Sequence, residues 1–274
     1  MQVLSNSILY EQGQHGLLLT SLTVLPGGGL MAAAVNGGLF HIEPDGRWFR
    51  ADRSLPPHTV VHRLETDQDI VYACTDKGLF VLADDGWLPT KIAVACYRLR
   101  SKGGVLYAAC GNGMWYLFKD SWLHTNYTDS PVFDIFHTPQ MIFMAQTKGI
   151  TVFDRYTQST EEYPMQTAVS SLCVLHGSLV GASANGDLMV GNKKGNFELV
   201  RYGKIKIFSL AAFGGRVYAC TDRGLYRLLF WRGKYHLCSV KTGFPVTDAV
   251  FDRGNLHLAT YFEGVRTVAV QSAF

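Results

Sequence analysis

An internal repeat constrains this chain more than any other feature. Residues 71–82, VYACTDKGLFVL, return almost unchanged as residues 217–228, VYACTDRGLYRL. Looser copies occupy residues 30–42 (LMAAAVNGGLFHI), 106–117 (LYAACGNGMWYL), 142–153 (IFMAQTKGITVF), 179–190 (LVGASANGDLMV) and 256–268 (LHLATYFEGVRTV). The residue just before the second apolar half of each copy is Gly38, Gly78, Gly113, Gly149, Asp187, Gly224 or Gly264, so successive copies are offset by 40, 35, 36, 38, 37 and 40 positions. A unit of that length cannot bury its apolar face alone and must stack on its neighbours. The copies run almost end to end, so residues 1–274 read as a single domain.

Helical repeats of this period would show apolar residues at i, i+3, i+4 and i+7, whereas these copies hold β-branched and aromatic residues in short runs broken by Gly, Asn and Asp. Each repeat parses into four strands. The first is a V-x-x-L-like segment: LTSL at 19–22, VHRL at 61–64, CYRL at 96–99, VFDI at 132–135, VSSL at 169–172, IFSL at 207–210 and VTDA at 246–249. The last two strands are joined by turns such as EPDG (43–46), DDG (84–86), KDS (119–121), KKGN (193–196) and RGK (232–234), whose residues tolerate left-handed backbone. The expected fold is all-β: a seven-bladed β-propeller with four-stranded antiparallel blades. The segment NSILYEQ at 6–12 looks like the outer strands of other repeats, and the seventh repeat ends soon after its third strand. The N-terminal strand is therefore expected to complete the last blade, closing the ring and removing two exposed edges.

Composition fits such a ring. Charged residues are 17% and hydrophobic residues 47% of the chain, as suits blades buried on both faces. The formal net charge of +3 comes from scattered Lys and Arg, with no run long enough to track a phosphate backbone, so no nucleic-acid partner is expected. Residues 16–40 carry no charge, yet they hold six glycines and a proline and match repeat strands, so no membrane span is read there. The cysteines Cys74, Cys96, Cys110, Cys173, Cys220 and Cys238 form no C-x-x-C pair. They read as free thiols and favour a reducing compartment. With no signal peptide visible at the N-terminus, the expectation is a cytoplasmic monomer. The nine histidines show neither H-x-H nor H-E-x-x-H, and no metal or other cofactor is expected. Trp48, Trp87 and Trp122 recur at one offset and are read as packing residues of the outer strands.

The V-x-x-L segment, the small-residue strand, the polar Gly turn and the apolar strand after it resemble the seven-bladed propellers of the WD-repeat and regulator-propeller type. The likeness covers nearly the whole chain. The sequence has no Gly-His/Trp-Asp pair per blade, no Asp box and no regular kelch double glycine, so the resemblance reaches an architecture and not a specific family. It implies a toroid that meets ligands or protein partners at one face, around the mouth of its central channel.

In such a toroid the V-x-x-L strand is innermost, and one repeat position brings its side chains around a common axis. The residue before the final apolar is Ser21, Arg63, Arg98, Asp134, Ser171, Ser209 or Asp248; the one before that is Thr20, His62, Tyr97, Phe133, Ser170, Phe208 or Thr247. Arg63 and Arg98, on adjacent blades, read as a fork for a carboxylate or phosphate, with Ser21, Ser171 and Ser209 as further ligand-binding positions. Asp134, Asp248, His62 and Tyr97 are the candidates for acid, base or orienting roles. Changing either arginine to Ala is expected to abolish binding or activity while leaving folding nearly intact. Two functions suit this set. One is a rigid binding module for an acidic small molecule or a protein segment; the other is an enzyme of lyase, cyclase or hydrolase type using the same channel mouth. The sequence leaves the choice between them open.

Overall fold

The computed structural model describes residues 16–35, 38–192 and 195–270, and every regular element among them is a β-strand. They form a seven-bladed β-propeller. Six sheets are four-stranded antiparallel meanders, covering residues 19–50, 61–89, 96–124, 132–164, 169–200 and 207–242, and the seventh shows three strands between residues 246 and 269. We call them blades 1 to 7 in chain order. The expected closing strand at residues 6–12 lies outside the described residues. Gly16, where the described chain begins, donates its N–H to the Phe262 carbonyl of blade 7 at 3.1 Å.

The apolar residues of the repeat form seven separate cores, one between each pair of neighbouring blades. Leu39, Val61, Phe80 and Trp87 pack between blades 1 and 2, and Leu19, Phe40, Trp48 and Ala259 between blades 7 and 1, which closes the ring. The same pattern holds at the other five junctions. The small residues of the second strand, Ala33, Ala73, Ala109, Ala145, Ala182, Ala219 and Ala259, are all fully buried. They sit where the sheets converge toward the axis and leave least room. Trp48, Trp87 and Trp122 open the outer strands and are buried, and the Trp87 indole donates to the Ala51 carbonyl at 2.7 Å. Cutting such a side chain back to Ala removes roughly 3–5 kcal/mol.

The repeated glycine before the third strand has a steric cause. Gly78, Gly113, Gly149 and Gly224 have φ between 114° and 143°, a region open to glycine. A Cβ there would stand 2.3 Å or less from the carbonyl oxygen of Ile92, Thr128, Tyr163 or Lys241 respectively. The end of the outer strand, or the segment just leaving it, thus presses on the start of the third, so the loop that returns to the axis is held tightly and the next inner strand is placed with it.

Candidate functional site

The pairing register of the inner strands decides what faces the channel. Leu19 lies opposite Ala34 but Ser21 opposite Ala33, leaving Thr20 unpaired. The same skip occurs at His62, Tyr97, Phe133, Ser170, Phe208 and Thr247. Each is a β-bulge, an extra residue that bends its strand and re-aims a side chain. These residues together wall a cavity of about 430 Å³ at the mouth of the channel, which Arg63, Arg98, Ser171 and Ser209 also line.

The wall is unevenly furnished. His62, Tyr97 and Phe133, on blades 2 to 4, form an aromatic arc with successive ring centroids 5.0 Å apart. Across the mouth, Phe208 stacks on Tyr261 with centroids 5.6 Å apart. Hydroxyls of Thr20, Ser170 and Thr247 complete the rim. Burial lowers the His62 pKa against the opposing pull of Asp76, so its imidazole is neutral at pH 7. A neighbouring cavity of about 370 Å³ shares Ser170, Phe208, Thr247 and Tyr261 and extends the mouth toward Lys206.

One residue further along each inner strand, most side chains are engaged by backbone. Ser21 accepts from Leu64 N of the next blade at 3.0 Å, and Ser171 from Leu210 N at 3.2 Å. The aspartates do this twice. Asp134 accepts from Ile135 N of its own strand and Leu172 N of the next blade, each at 2.8 Å. Asp248 accepts from Ala249 N at 2.8 Å and Leu22 N at 2.9 Å, and also from the Ser21 hydroxyl at 3.0 Å. Ser209 instead donates to the Thr247 carbonyl at 2.7 Å. The aspartates thus sit where the blade before them offers no acceptor to their own strand: Arg98 precedes Asp134, and Ser209 is turned away before Asp248.

The arginines meet carboxylates below the cavity. Arg63 pairs with Asp248 at 2.7 Å, and Arg100 grips Asp134 with two bonds of 2.8 and 2.7 Å. Arg98 is less well served. Its Nε lies 2.9 Å from Glu65 Oε1 and 3.9 Å from Asp134, while Arg98 Nε, Arg63 Nε and Glu65 Oε1 all lack a well-directed hydrogen bond; what Arg63 has in addition is its Nη1 pair with Asp248. Burial disfavours all three guanidiniums. For Arg63 the Asp248 and Glu65 carboxylates outweigh it and raise the pKa, and for Arg100 Asp134 does the same. For Arg98 burial, reinforced by Arg100 and Arg63, wins and the pKa is lowered. Burial would raise Asp134, yet Arg100 and Arg98 hold its carboxyl below the usual range.

The structure therefore brings Arg63, Arg98, Asp134, Asp248 and Ser21 into one connected cluster, with His62 and Tyr97 at the cavity wall above it. Ser171 and Ser209 line the cavity on the other side of the ring. Every oxygen of Asp134 and Asp248 is engaged by backbone, hydroxyl or guanidinium. The pairing of Arg63 with the fully buried Asp248 also changes what a substitution there does, because Ala would strand a buried carboxylate. Glu65 and Arg100 belong to the cluster and were not among the positions singled out from sequence. The signal for them is strand alternation: R-L-E at 63–65 and R-L-R at 98–100 put the outer two residues on one face. Among the described residues no group of three or more His, Cys, Asp or Glu is placed to hold a metal ion.

No protein-family profile and no curated protein sequence matches this chain. Solved structures do. The extracellular domain of the one-component system BT4673 from B. thetaiotaomicron superposes with a TM-score of 0.72 at 17% identity, covering 95% of this chain and 39% of that one. The extracellular domain of the hybrid two-component system BT3049 from the same organism gives 0.73 at 14% identity, with 92% and 40% covered. Virginiamycin B lyase from Staphylococcus aureus gives 0.70 at 12% identity, with 96% and 97% covered. This chain spans about two fifths of the two extracellular domains. At these identities the likeness is one of fold: the chain is a seven-bladed propeller, a shape it shares with these extracellular domains and the lyase.

Proposed function

We propose that this propeller is a rigid binding module that takes an acidic small molecule at the mouth of its channel. The observation that carries the reading is the cavity of about 430 Å³ walled by the bulge residues and lined by Arg63 and Arg98. Its size lies in the range of small-molecule pockets, and guanidinium beneath aromatic and hydroxyl groups is the chemistry of an organic anion site. The fold is shared with extracellular domains of signalling systems and with a lyase, so it accommodates recognition and turnover alike. The six cysteines, all unpaired, suit a reducing compartment, and we place the protein there as a monomer.

The enzyme reading draws its support from His62, a neutral imidazole beside the Tyr97 ring at 5.0 Å. It lacks a free carboxylate partner, since Asp134 and Asp248 are engaged on both oxygens. A thermal-shift screen of organic acids and phosphates tests the binding module. Hits should raise the melting temperature of the wild type and lose their effect in Ser170→Trp, which fills the mouth from an exposed position. Shifts that survive the filled mouth would move the site elsewhere.

A further inference from the structure

The two arginines of the cavity are not equivalent. Arg63 sends Nη1 to Asp248 at 2.7 Å, and that carboxylate is fully buried and also holds the backbone of blades 1 and 7. Arg98 is as buried as Arg63, each about 9% exposed, but its shortest carboxylate contacts, to Glu65 at 2.9 Å and Asp134 at 3.9 Å, are made through Nε. The terminal nitrogens of neither arginine make a well-directed hydrogen bond among the described residues and both side chains line the cavity, but only those of Arg63 have a carboxylate at 2.7 Å. An unused planar fork facing a cavity matches the two oxygens of a carboxylate.

Charge limits what the fork accepts. Arg63, Arg98 and Arg100 already face Glu65, Asp134 and Asp248, three cations against three carboxylates. The cluster is thus balanced, and a single extra negative charge is received only where Arg98 turns its terminal nitrogens to the cavity. A second would lie beside Glu65 and Asp134 with nothing to neutralise it. The surface directly above is aromatic, because Tyr97 immediately precedes Arg98 and stands between His62 and Phe133 at 5.0 Å from each. Rings stack or meet edge to face with other rings at such spacings.

Building on the reading of the mouth as a binding site, we propose that Arg98 is its anion receptor, that Arg63 is a structural lock, and that the ligand is a small aromatic monocarboxylate. Its carboxylate lies on the Arg98 fork and its ring lies against Tyr97, flanked by His62 and Phe133. Isothermal titration tests this with benzoate as probe, against benzamide, acetate and inorganic phosphate. Benzoate should bind the wild type most tightly of the four. Arg98→Lys, which keeps the charge and loses the fork, should weaken benzoate about tenfold. The charge-balanced pair Arg98→Gln with Glu65→Gln should weaken it by roughly 10–100-fold and keep the cooperative melt of a folded propeller. Benzoate affinity unchanged in that pair, phosphate binding more tightly than benzoate, or no benzoate binding at millimolar concentration overturns the proposal. Benzoate binding lost in Ser170→Trp but kept in the pair would remove Arg98 and leave the mouth as the site. Binding kept in Ser170→Trp would remove the mouth itself.

Discussion

At one register position of the inner strand blades 4 and 7 contrast with blades 2 and 3, and the contrast separates what holds the ring from what is free to bind. At that position blades 4 and 7 carry Asp134 and Asp248, short acceptors that reach backbone N–H groups on two strands each. Blades 2 and 3 carry Arg63 and Arg98, which cannot accept a hydrogen bond at all. Their guanidiniums turn to carboxylates on other blades instead. One half of the ring is thus sewn by side chain to backbone, and the other by side chain to side chain. Only in the second half is a donor left over.

The comparison breaks most visibly at Asp134. Asp134→Ala removes the acceptor of two backbone N–H groups and leaves the half-buried Arg100 without its carboxylate, with only the Leu172 carbonyl to donate to. A loss of about 3–5 kcal/mol is expected, measured by denaturant unfolding. A loss under about 1 kcal/mol would mean that the bonds of this carboxylate only replace water. Next comes the contrast between the arginines. Arg63→Met strands Asp248 and should cost about 2–4 kcal/mol, whereas Arg98→Met removes a poorly paired charge and should cost under about 1.5 kcal/mol. Equal losses in the two variants would erase the distinction between lock and receptor.

The inner strand of blade 4, Val132–His137, carries the same contrast in its response to acid. His137 is buried, its Nε2 has no partner, and Arg155 donates to its Nδ1 at 3.2 Å. Burial first, then Arg155, Lys102 and Arg100, lowers its pKa to about 4. The unfolded chain would bind this proton near pH 6.5, so the stabilising effect of a neutral His137 is complete above that pH and fades as pH falls toward 4. Asp134 behaves otherwise: its folded pKa lies below the ordinary carboxylate value, so its contribution persists down to about pH 4 and is lost only below that. Between pH 6.5 and 4 His137 therefore adds at most about 3 kcal/mol to the slope of stability, on top of the contributions of His41, His62 and His257, whose pKa values burial also lowers. His137→Phe, which keeps a ring against Tyr107, now 4.0 Å away, should make that slope shallower by the His137 share. An identical slope in wild type and variant would assign it to other groups.

Much of this was legible in the sequence because repetition fixes it. A period of 35–40 residues with a glycine before each third strand states the blade, and the steric contact at Gly78 or Gly224 is the same contact made again. The polar ring of the site was legible too, since one repeat position must point one way in every blade. Two things were not. The bulges at Thr20 to Thr247 are a matter of strand register, and V-x-x-L reads the same whether its second residue is paired or skipped. The pairing of Arg63 with Asp248 joins residues 185 positions apart in the chain, from strands on non-adjacent blades. Side-chain length decides that contact, and the repeat pattern does not encode it.

The serines give the smallest and most discriminating test. Ser171 and Ser209 hold the same register position on adjacent blades, and a reading from sequence treats them alike. Ser171 accepts from Leu210 N, so Ser171→Ala leaves a buried backbone donor without an acceptor, at a cost of about 1–3 kcal/mol. Ser209 only donates, to the Thr247 carbonyl, and the N–H it would otherwise serve, that of Ala249, is held by Asp248. Ser209→Ala loses one donor to a carbonyl at a partly exposed position and should cost about 0.5–1 kcal/mol. If the order of the two losses were reversed, the aspartate of blade 7 would not be covering for the serine before it, and the division of the ring into two kinds of joint would fail at its most economical point.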